Sequence, residues 1–166
     1  ATWAGDFAPH VFGLPFPLHK ASDETREKAY ETIRQRISDN ASFTRRSGLL
    51  SYFDEQIAAI DSEEELEAVM NKPFETVAAW TKSNAIAPSN ILLGEFGMIR
   101  QEYGNDHVVP AAERARFYRR TLEIAEKHGF AWSMWSYGGA FGLVESFESK
   151  SAEPDVLDMV KALPPR

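Results

Sequence analysis

The spacing of apolar residues between positions 21 and 84 predicts a run of helices. Apolar side chains recur there every three or four residues, as on one face of an amphipathic helix. Ser62 and Glu65 have the spacing of a capping box, which favours a helix start. Pro73 is expected to interrupt that helix and to open the next one. The predicted helices cover 22–38, 49–60, 62–71 and 73–84, with a loop at 39–48.

The second half of the chain alternates between helical and strand-like patterns. Residues 90–96 (NILLGEF) are a short, continuous apolar run with turn residues on both sides, which is typical of a strand covered on both faces. A helix is predicted over 110–128, a second strand over 130–137 and a last helix over 154–163. Helices that alternate with strands in this order predict an α/β fold with a parallel sheet.

Residues 1–20 are predicted to form a long loop, because aromatic residues and prolines crowd into this stretch. It is either an internal loop that packs on another part of the protein or an ordered N-terminal arm. The length of 166 residues fits a single domain. We expect that domain to comprise the loop, a helical segment at 21–72 and a helix–strand–helix–strand–helix segment at 73–166.

Composition and charge narrow the possible function classes. The net charge is −7, so the chain repels phosphate backbones and nucleic acid is not an expected partner. The chain has no cysteine, which excludes disulfides, thiolate zinc sites and cysteine nucleophiles. No apolar run approaches the roughly 18 residues of a membrane-spanning helix, so a membrane is not an expected partner either.

Glu95 is the first candidate for chemistry. It lies at the carboxyl end of the first predicted strand, where parallel α/β structures place their active sites. Gly94 and Gly97 flank it, and glycines at such positions let a backbone or a ligand approach closely. The alternative is a carboxylate that only caps a helix or lies in a loop.

Aromatic residues end the second predicted strand. Trp135 and Tyr137 are expected on one side of that strand and Trp132 on the other. Exposed aromatic rings can stack on the apolar C–H face of a sugar, and an acidic residue beside them is typical of a carbohydrate site. The alternative is that these rings pack in the core.

Other candidate sites have a weaker basis. The four histidines show no metal-ligand spacing with one another, and His128 suits the end of a helix. Asp106 and His107 share a polar loop, and the acidic run at 63–67 is expected to be a solvated helix face. The glycines at 138–142 lack the helix-opening context of a phosphate loop.

Two motifs together resemble a known enzyme family. The sequence GEFG at 94–97, followed about 40 residues later by WSMWSYGGAFG at 132–142, is similar to the C-terminal part of glycoside hydrolase family 5, the cellulase family with a (β/α)8 barrel. The resemblance implies that Glu95 is the nucleophile and that Trp135 stacks on the sugar. The opening residues ATW resemble the loop after the sixth barrel strand, which would add Trp3, together with Tyr137, to the substrate-binding residues.

The chain also departs from that family. A complete barrel needs about 250 residues, so the resemblance implies only the last two strands with their helices, plus an added helical segment at 21–72. The acid/base glutamate of the family follows an asparagine, and no Asn-Glu dipeptide occurs here. Glu102 and Glu145 are the nearest other carboxylates in the sequence, and neither lies in a matching motif.

The resemblance therefore implies a retaining, two-carboxylate hydrolase of β-1,4-glucan, such as cellulose, that acts when the rest of the barrel completes it. Its substrate would be a β-linked polysaccharide or oligosaccharide, and it implies no cofactor. Its partner would be the missing N-terminal barrel segment or further copies of the chain in a homo-oligomer, and its location would be secreted or periplasmic in a bacterium. The alternatives are a non-catalytic carbohydrate-binding fragment and a purely structural α/β fragment.

Overall fold

The computed structural model describes residues 7–101, 106–144 and 154–163. Over these ranges the protein is mainly helical and has a small parallel sheet. Its elements are α1 (Asp23–Asn40), α2 (Phe43–Ala58), α3 (Glu63–Ser83), β1 (Leu92–Leu93), α4 (Ala111–Lys127), β2 (Ala131–Trp132) and α5 (Pro154–Lys161). The chain forms two compact units, Ala1–Val69 and Met70–Arg166. None of the helices described is both long enough and apolar enough to cross a membrane.

In the first unit, α1 and α2 pack around a small core of fully buried side chains, Ile33, Ile37 and Phe53. Burying a large apolar side chain stabilises a fold by about 1.5–3 kcal/mol. Ser22 starts α1, because its hydroxyl oxygen accepts a hydrogen bond from the backbone N–H of Thr25 at 3.2 Å. The helix predicted over 22–38 is confirmed as α1, which continues to Asn40.

The aromatic and proline-rich stretch before α1 packs on the same core. Phe7 and Val11 contact that core. The Arg36 guanidinium lies 3.4 Å from the centroid of the Phe12 ring and donates a hydrogen bond to the carbonyl oxygen of His10 at 2.7 Å. The described part of this stretch is therefore an ordered loop that side-chain packing holds in place.

The start of α2 differs from the prediction. The helix begins at Phe43, so the loop predicted at 39–48 shrinks to Ala41 and Ser42. The first turn of α2 is polar or exposed, with Phe43 itself 88% exposed, and the apolar spacing starts only at Leu49. A helical turn without buried side chains leaves no periodic signal in the sequence.

The prediction that Pro73 separates two helices is wrong, because Pro73 lies inside the continuous helix α3. The predicted capping box is confirmed: the N–H of Ser62 donates to the Glu65 carboxylate at 3.0 Å, and the N–H of Glu65 donates to the Ser62 hydroxyl at 3.1 Å. A proline inside a helix costs about 3 kcal/mol. The packing of Phe74 on Phe130, with ring centroids 6.2 Å apart, offsets part of that cost beside the proline.

In the second unit, β1 and β2 form a two-stranded parallel sheet, and α4 connects them. α4 and α5 pack on each other around four buried side chains, Tyr118, Leu122, Val156 and Met159. The predicted order of helix, strand, helix, strand and helix is confirmed for this part of the chain. Within the described ranges the sheet has these two strands, not the eight of a complete barrel.

Both strands are shorter than predicted, with two residues each. The parallel pairing is regular only where the N–H of Ala131 donates to the carbonyl oxygen of Ile91 at 2.8 Å and the N–H of Ser133 donates to that of Leu93 at 2.9 Å. Before this stretch, Pro88–Asn90 forms a short 3-10 turn. After it, the pairing changes register, so the regular strands end there.

Candidate functional site

Glu95 lies two positions after β1, where the register of the parallel pairing changes. The two regular hydrogen bonds advance by two residues along each strand. The next bond runs from the N–H of Trp135 to the carbonyl oxygen of Phe96 at 2.8 Å. Compared with the bond between Ser133 and Leu93, the donor lies two residues further along the chain and the acceptor lies three residues further. The extra residue on the β1 side makes a bulge.

The bulge determines the surroundings of Glu95. A bulged residue is left out of the regular pairing, and its side chain is re-aimed. Glu95 is exposed, and among the described residues its carboxylate makes no hydrogen bond and no ion pair. Both carboxylate oxygens are therefore available at the carboxyl end of the sheet.

Gly97 allows the segment after Glu95 to run against the end of β2. A Cβ at Gly97 would clash with the carbonyl oxygen of Trp135 and would lie 3.3 Å from the Phe141 ring. A Cβ at Gly94 would instead meet open space. At Gly97 the approaching group is therefore a neighbouring backbone, whereas at Gly94 the space is open and the approach of a ligand stays a prediction.

Tyr118 of α4 bonds to the segment after Glu95 and to the loop after Trp135. Its side chain is buried, and its hydroxyl accepts a hydrogen bond from the N–H of Met98 at 3.4 Å and donates one to the carbonyl oxygen of Phe141 at 3.3 Å. Burial raises the pKa of Tyr118 above its ordinary value, because a phenolate would lose its solvation there. The neutral phenol thus joins the segment after Glu95 to the loop after Trp135.

The loop at 136–144 follows Trp135 and folds back on itself. The N–H of Leu143 donates to the carbonyl oxygen of Ser136 at 3.2 Å, and the N–H of Val144 donates to that of Tyr137 at 3.0 Å. These two bonds bring the end of the loop back to its start.

Glycines close the tip of this loop. The N–H of Gly142 donates to the carbonyl oxygen of Gly139 at 2.9 Å, and Gly139 has a φ of +82°. A Cβ at Gly142 would clash with the backbone of Gly138. The glycines therefore form a tight turn.

The three aromatic residues at the end of β2 divide into one partly buried ring and two exposed rings. Trp132 packs against the core of the second unit, and its Nε1–H donates to the Glu126 carboxylate at 2.7 Å. Trp135 is 50% exposed and Tyr137 is 57% exposed. Two exposed rings beside an exposed carboxylate can bind a ligand that has both an apolar face and polar edges.

Two histidines of the described ranges, His19 and His128, have structural contacts. The His128 ring stacks on Phe74 and Phe130, with ring centroids 6.1 and 5.6 Å away. His19 pairs with Glu63 at 2.5 Å, so the acidic run at the start of α3 is more than a solvated face. In the part of the chain that the structure describes, no three His, Asp or Glu side chains are grouped so that they could hold a metal ion.

Some candidates from the sequence lie outside the described residues: Trp3, Glu102 and Glu145. Conversely, sequence reasoning missed Tyr118. Its position in the helical pattern indicates a core residue, and no signal in the sequence indicates that its hydroxyl contacts two loops.

No protein-family model and no curated protein matches the sequence. Solved structures that are similar to part of it include the cellulose synthase subunit Z (CcsZ) of Clostridioides difficile, with 27% identity and a TM-score of 0.48. A hyperthermophilic endo-β-1,4-glucanase in complex with substrate has 25% identity and a TM-score of 0.45, and an endoglucanase has 24% and 0.47. Each match covers 60% of this chain, which spans 29%, 29% and 28% of the respective structures.

Gly97→Ala is expected to lower the free energy of unfolding by about 1–3 kcal/mol, because the added methyl would displace the Trp135 carbonyl. Gly94→Ala is the matched control, since its methyl would meet open space. Urea denaturation of both variants measures the difference. Equal stabilities of the two variants would contradict the close approach at Gly97.

Tyr118→Phe is expected to cost about 0.5–1.5 kcal/mol of unfolding free energy at neutral pH. Because the pKa of Tyr118 is raised in the folded protein, the unfolded chain loses this proton first, so wild-type stability falls as the pH rises past about 10. The stability gap between wild type and variant should therefore narrow from about pH 9 to about pH 11. A gap that stays constant over this range in urea denaturation would show that the phenol does not titrate differently on unfolding.

Proposed function

We propose that this chain is the C-terminal part of a retaining glycoside hydrolase that acts on β-1,4-glucan, with Glu95 as the nucleophile. One observation carries the proposal. The bulge after β1 exposes the Glu95 carboxylate and bonds the residue that follows it to Trp135, whose ring is half exposed. The same two residues lie in the strand-end motifs that resemble family 5 of the glycoside hydrolases.

The chemistry follows from the exposed carboxylate. In a retaining mechanism one carboxylate attacks the anomeric carbon of the sugar, and the bond to the leaving oxygen breaks. A second carboxyl group about 5–5.5 Å away protonates that oxygen and later activates the water that releases the sugar. Trp135 would stack on the sugar at the cleavage point, and Tyr137 would extend the aromatic surface. Trp3 stays a substrate-binding residue that only the resemblance implies. An enzyme with a polysaccharide substrate would act outside the cytoplasm, in the periplasm or after secretion.

We assign the second carboxyl group to a barrel segment N-terminal to this chain. In the family the acid/base glutamate follows an asparagine, and no Asn-Glu dipeptide occurs in this sequence. An exposed apolar surface beside β1 supports this assignment. β1 pairs with β2, Leu92 is 61% exposed, and an apolar groove of about 140 Å³ lies beside it. The groove is lined by Pro73, Phe74, Val77, Ile91, Leu92, Leu93 and Phe130. Further copies of the chain are the alternative occupant.

Covalent labelling tests the nucleophile without the missing acid. A 2-deoxy-2-fluoro-β-cellobioside with dinitrophenolate as the leaving group needs no general acid, because the leaving group departs as a stable anion. Attack by the Glu95 carboxylate would form an ester to the sugar and release dinitrophenolate. We expect mass spectrometry to find this ester on the peptide that contains Glu95. Glu95→Gln should give no ester and should keep its affinity for the sugar.

The possible outcomes separate the proposal from its alternatives. Sugar binding without labelling of Glu95 would contradict the nucleophile and favour a non-catalytic carbohydrate-binding fragment. Neither binding nor labelling would contradict the proposal as a whole and favour a structural α/β fragment.

Trp135→Ala is expected to weaken the binding of cello-oligosaccharides about tenfold, as for an aromatic side chain that contributes more than about 1 kcal/mol to an interface. Trp80→Ala is the matched control, because Trp80 of α3 is 52% exposed, which is nearly the exposure of Trp135. Titration calorimetry compares the two variants with the wild type. Equal losses in both variants, or no loss in Trp135→Ala, would show that the Trp135 ring is not the sugar platform.

A further inference from the structure

Arg100 joins the segment that begins at Glu95 to the loop at 136–144. Its guanidinium donates a hydrogen bond to the carbonyl oxygen of Gly142 at 2.6 Å, and its backbone N–H donates to the carbonyl oxygen of Ala140 at 2.8 Å. The guanidinium bond is charge-assisted, so it is stronger than a bond between neutral groups. Arg100 therefore binds the tip of the loop by both its side chain and its backbone.

Arg100 is itself held by the start of α4. The N–H of Val109 donates to the carbonyl oxygen of Arg100 at 2.9 Å, and the carbonyl oxygen of Val109 accepts a bond from the Arg114 guanidinium at 3.1 Å. Arg114 is buried in α4, and Gln101 forms an antiparallel bridge with Val108. The backbone of Arg100 is therefore bonded both to the loop and to the segment that leads into α4.

The backbone that carries the two exposed rings is held at two points. At the near end, the N–H of Trp135 is bonded to the carbonyl oxygen of Phe96. At the far end, Arg100 binds the tip. Trp135 and Tyr137 are each at least half exposed, so packing against the core gives them limited support. Their orientation therefore depends on how both ends of the loop are held.

We propose that Arg100 is a positioning residue that sets the orientation of Trp135 and Tyr137 relative to Glu95. The proposal rests on the proposed function, because it assigns the two rings to sugar binding. Arg100 acts through the loop backbone and does not need to touch the sugar. Without its guanidinium the tip of the loop loses its charge-assisted hydrogen bond and keeps those from the Arg100 N–H and the Tyr118 hydroxyl. A sugar that binds must then meet a larger part of the cost of ordering the loop.

Fluorine NMR of protein labelled with 5-fluorotryptophan reports on the loop in the absence of sugar. The chain has four tryptophans, and Trp135→Phe assigns the Trp135 resonance. Arg100→Ala is expected to shift or broaden that resonance and to leave the Trp80 resonance unchanged. Arg116→Ala, which removes an exposed arginine of α4, is the matched control and should change neither resonance.

Titration calorimetry then measures the affinity for cello-oligosaccharides. Arg100→Ala is expected to raise Kd about tenfold, the loss typical of one hydrogen bond to a charged group. Arg100→Lys keeps a charged donor for the carbonyl oxygen of Gly142 and should lose less affinity. If Arg100→Ala does not fold, Arg100→Gln provides the same two readouts.

An unchanged Trp135 resonance in Arg100→Ala would overturn the positioning role, and so would an unchanged Kd in the presence of a shifted resonance. Failure of the proposed function looks different, because the wild-type protein itself would then bind no cello-oligosaccharide. A wild type that binds and an Arg100→Ala variant that binds equally well would overturn the role of Arg100 alone.

Discussion

The change of register between β1 and β2 is the constraint on which the rest of the site depends. Because the N–H of Trp135 bonds to Phe96 and not to Glu95, one residue is left out of the pairing at the end of the sheet. In a sheet that continued in register, the carbonyl oxygen of Glu95 would accept the hydrogen bond from the N–H of Trp135. The bulge takes Glu95 out of this pairing, and the Glu95 side chain is exposed. Gly97 leaves room for this arrangement, and the Tyr118 hydroxyl binds both sides of it.

Much of the fold could be predicted because hydrophobic periodicity encodes it. α1, α4 and the order of helices and strands in the second unit follow from apolar spacing and from end signals such as the glycine at position 129, which has a φ of +72°. The first turn of α2 could not be predicted, because an exposed turn carries no periodic signal. The continuity of α3 through Pro73 could not be predicted either, since tertiary packing beside the proline, such as that of Phe74 on Phe130, leaves no local signal in the sequence.

The candidate site could be predicted in its residue types but not in its geometry. A carboxylate and aromatic residues at strand ends indicated Glu95, Trp135 and Tyr137. The bulge that separates the exposed carboxylate from the sheet depends on pairing between segments far apart in the sequence, and no local pattern specifies it. For the same reason the supporting residues Tyr118 and Arg100 carried no signal, because their contacts are with backbone atoms of a distant loop.

A crystal structure of the chain with a bound cello-oligosaccharide tests most directly whether the bulge creates a sugar site. We expect a glucose ring stacked on Trp135, with its anomeric carbon facing the Glu95 carboxylate, and a backbone bond from Trp135 to Phe96. A sugar bound away from these residues, or a sheet that continues in register and pairs Glu95 with Trp135, would contradict the role of the bulge.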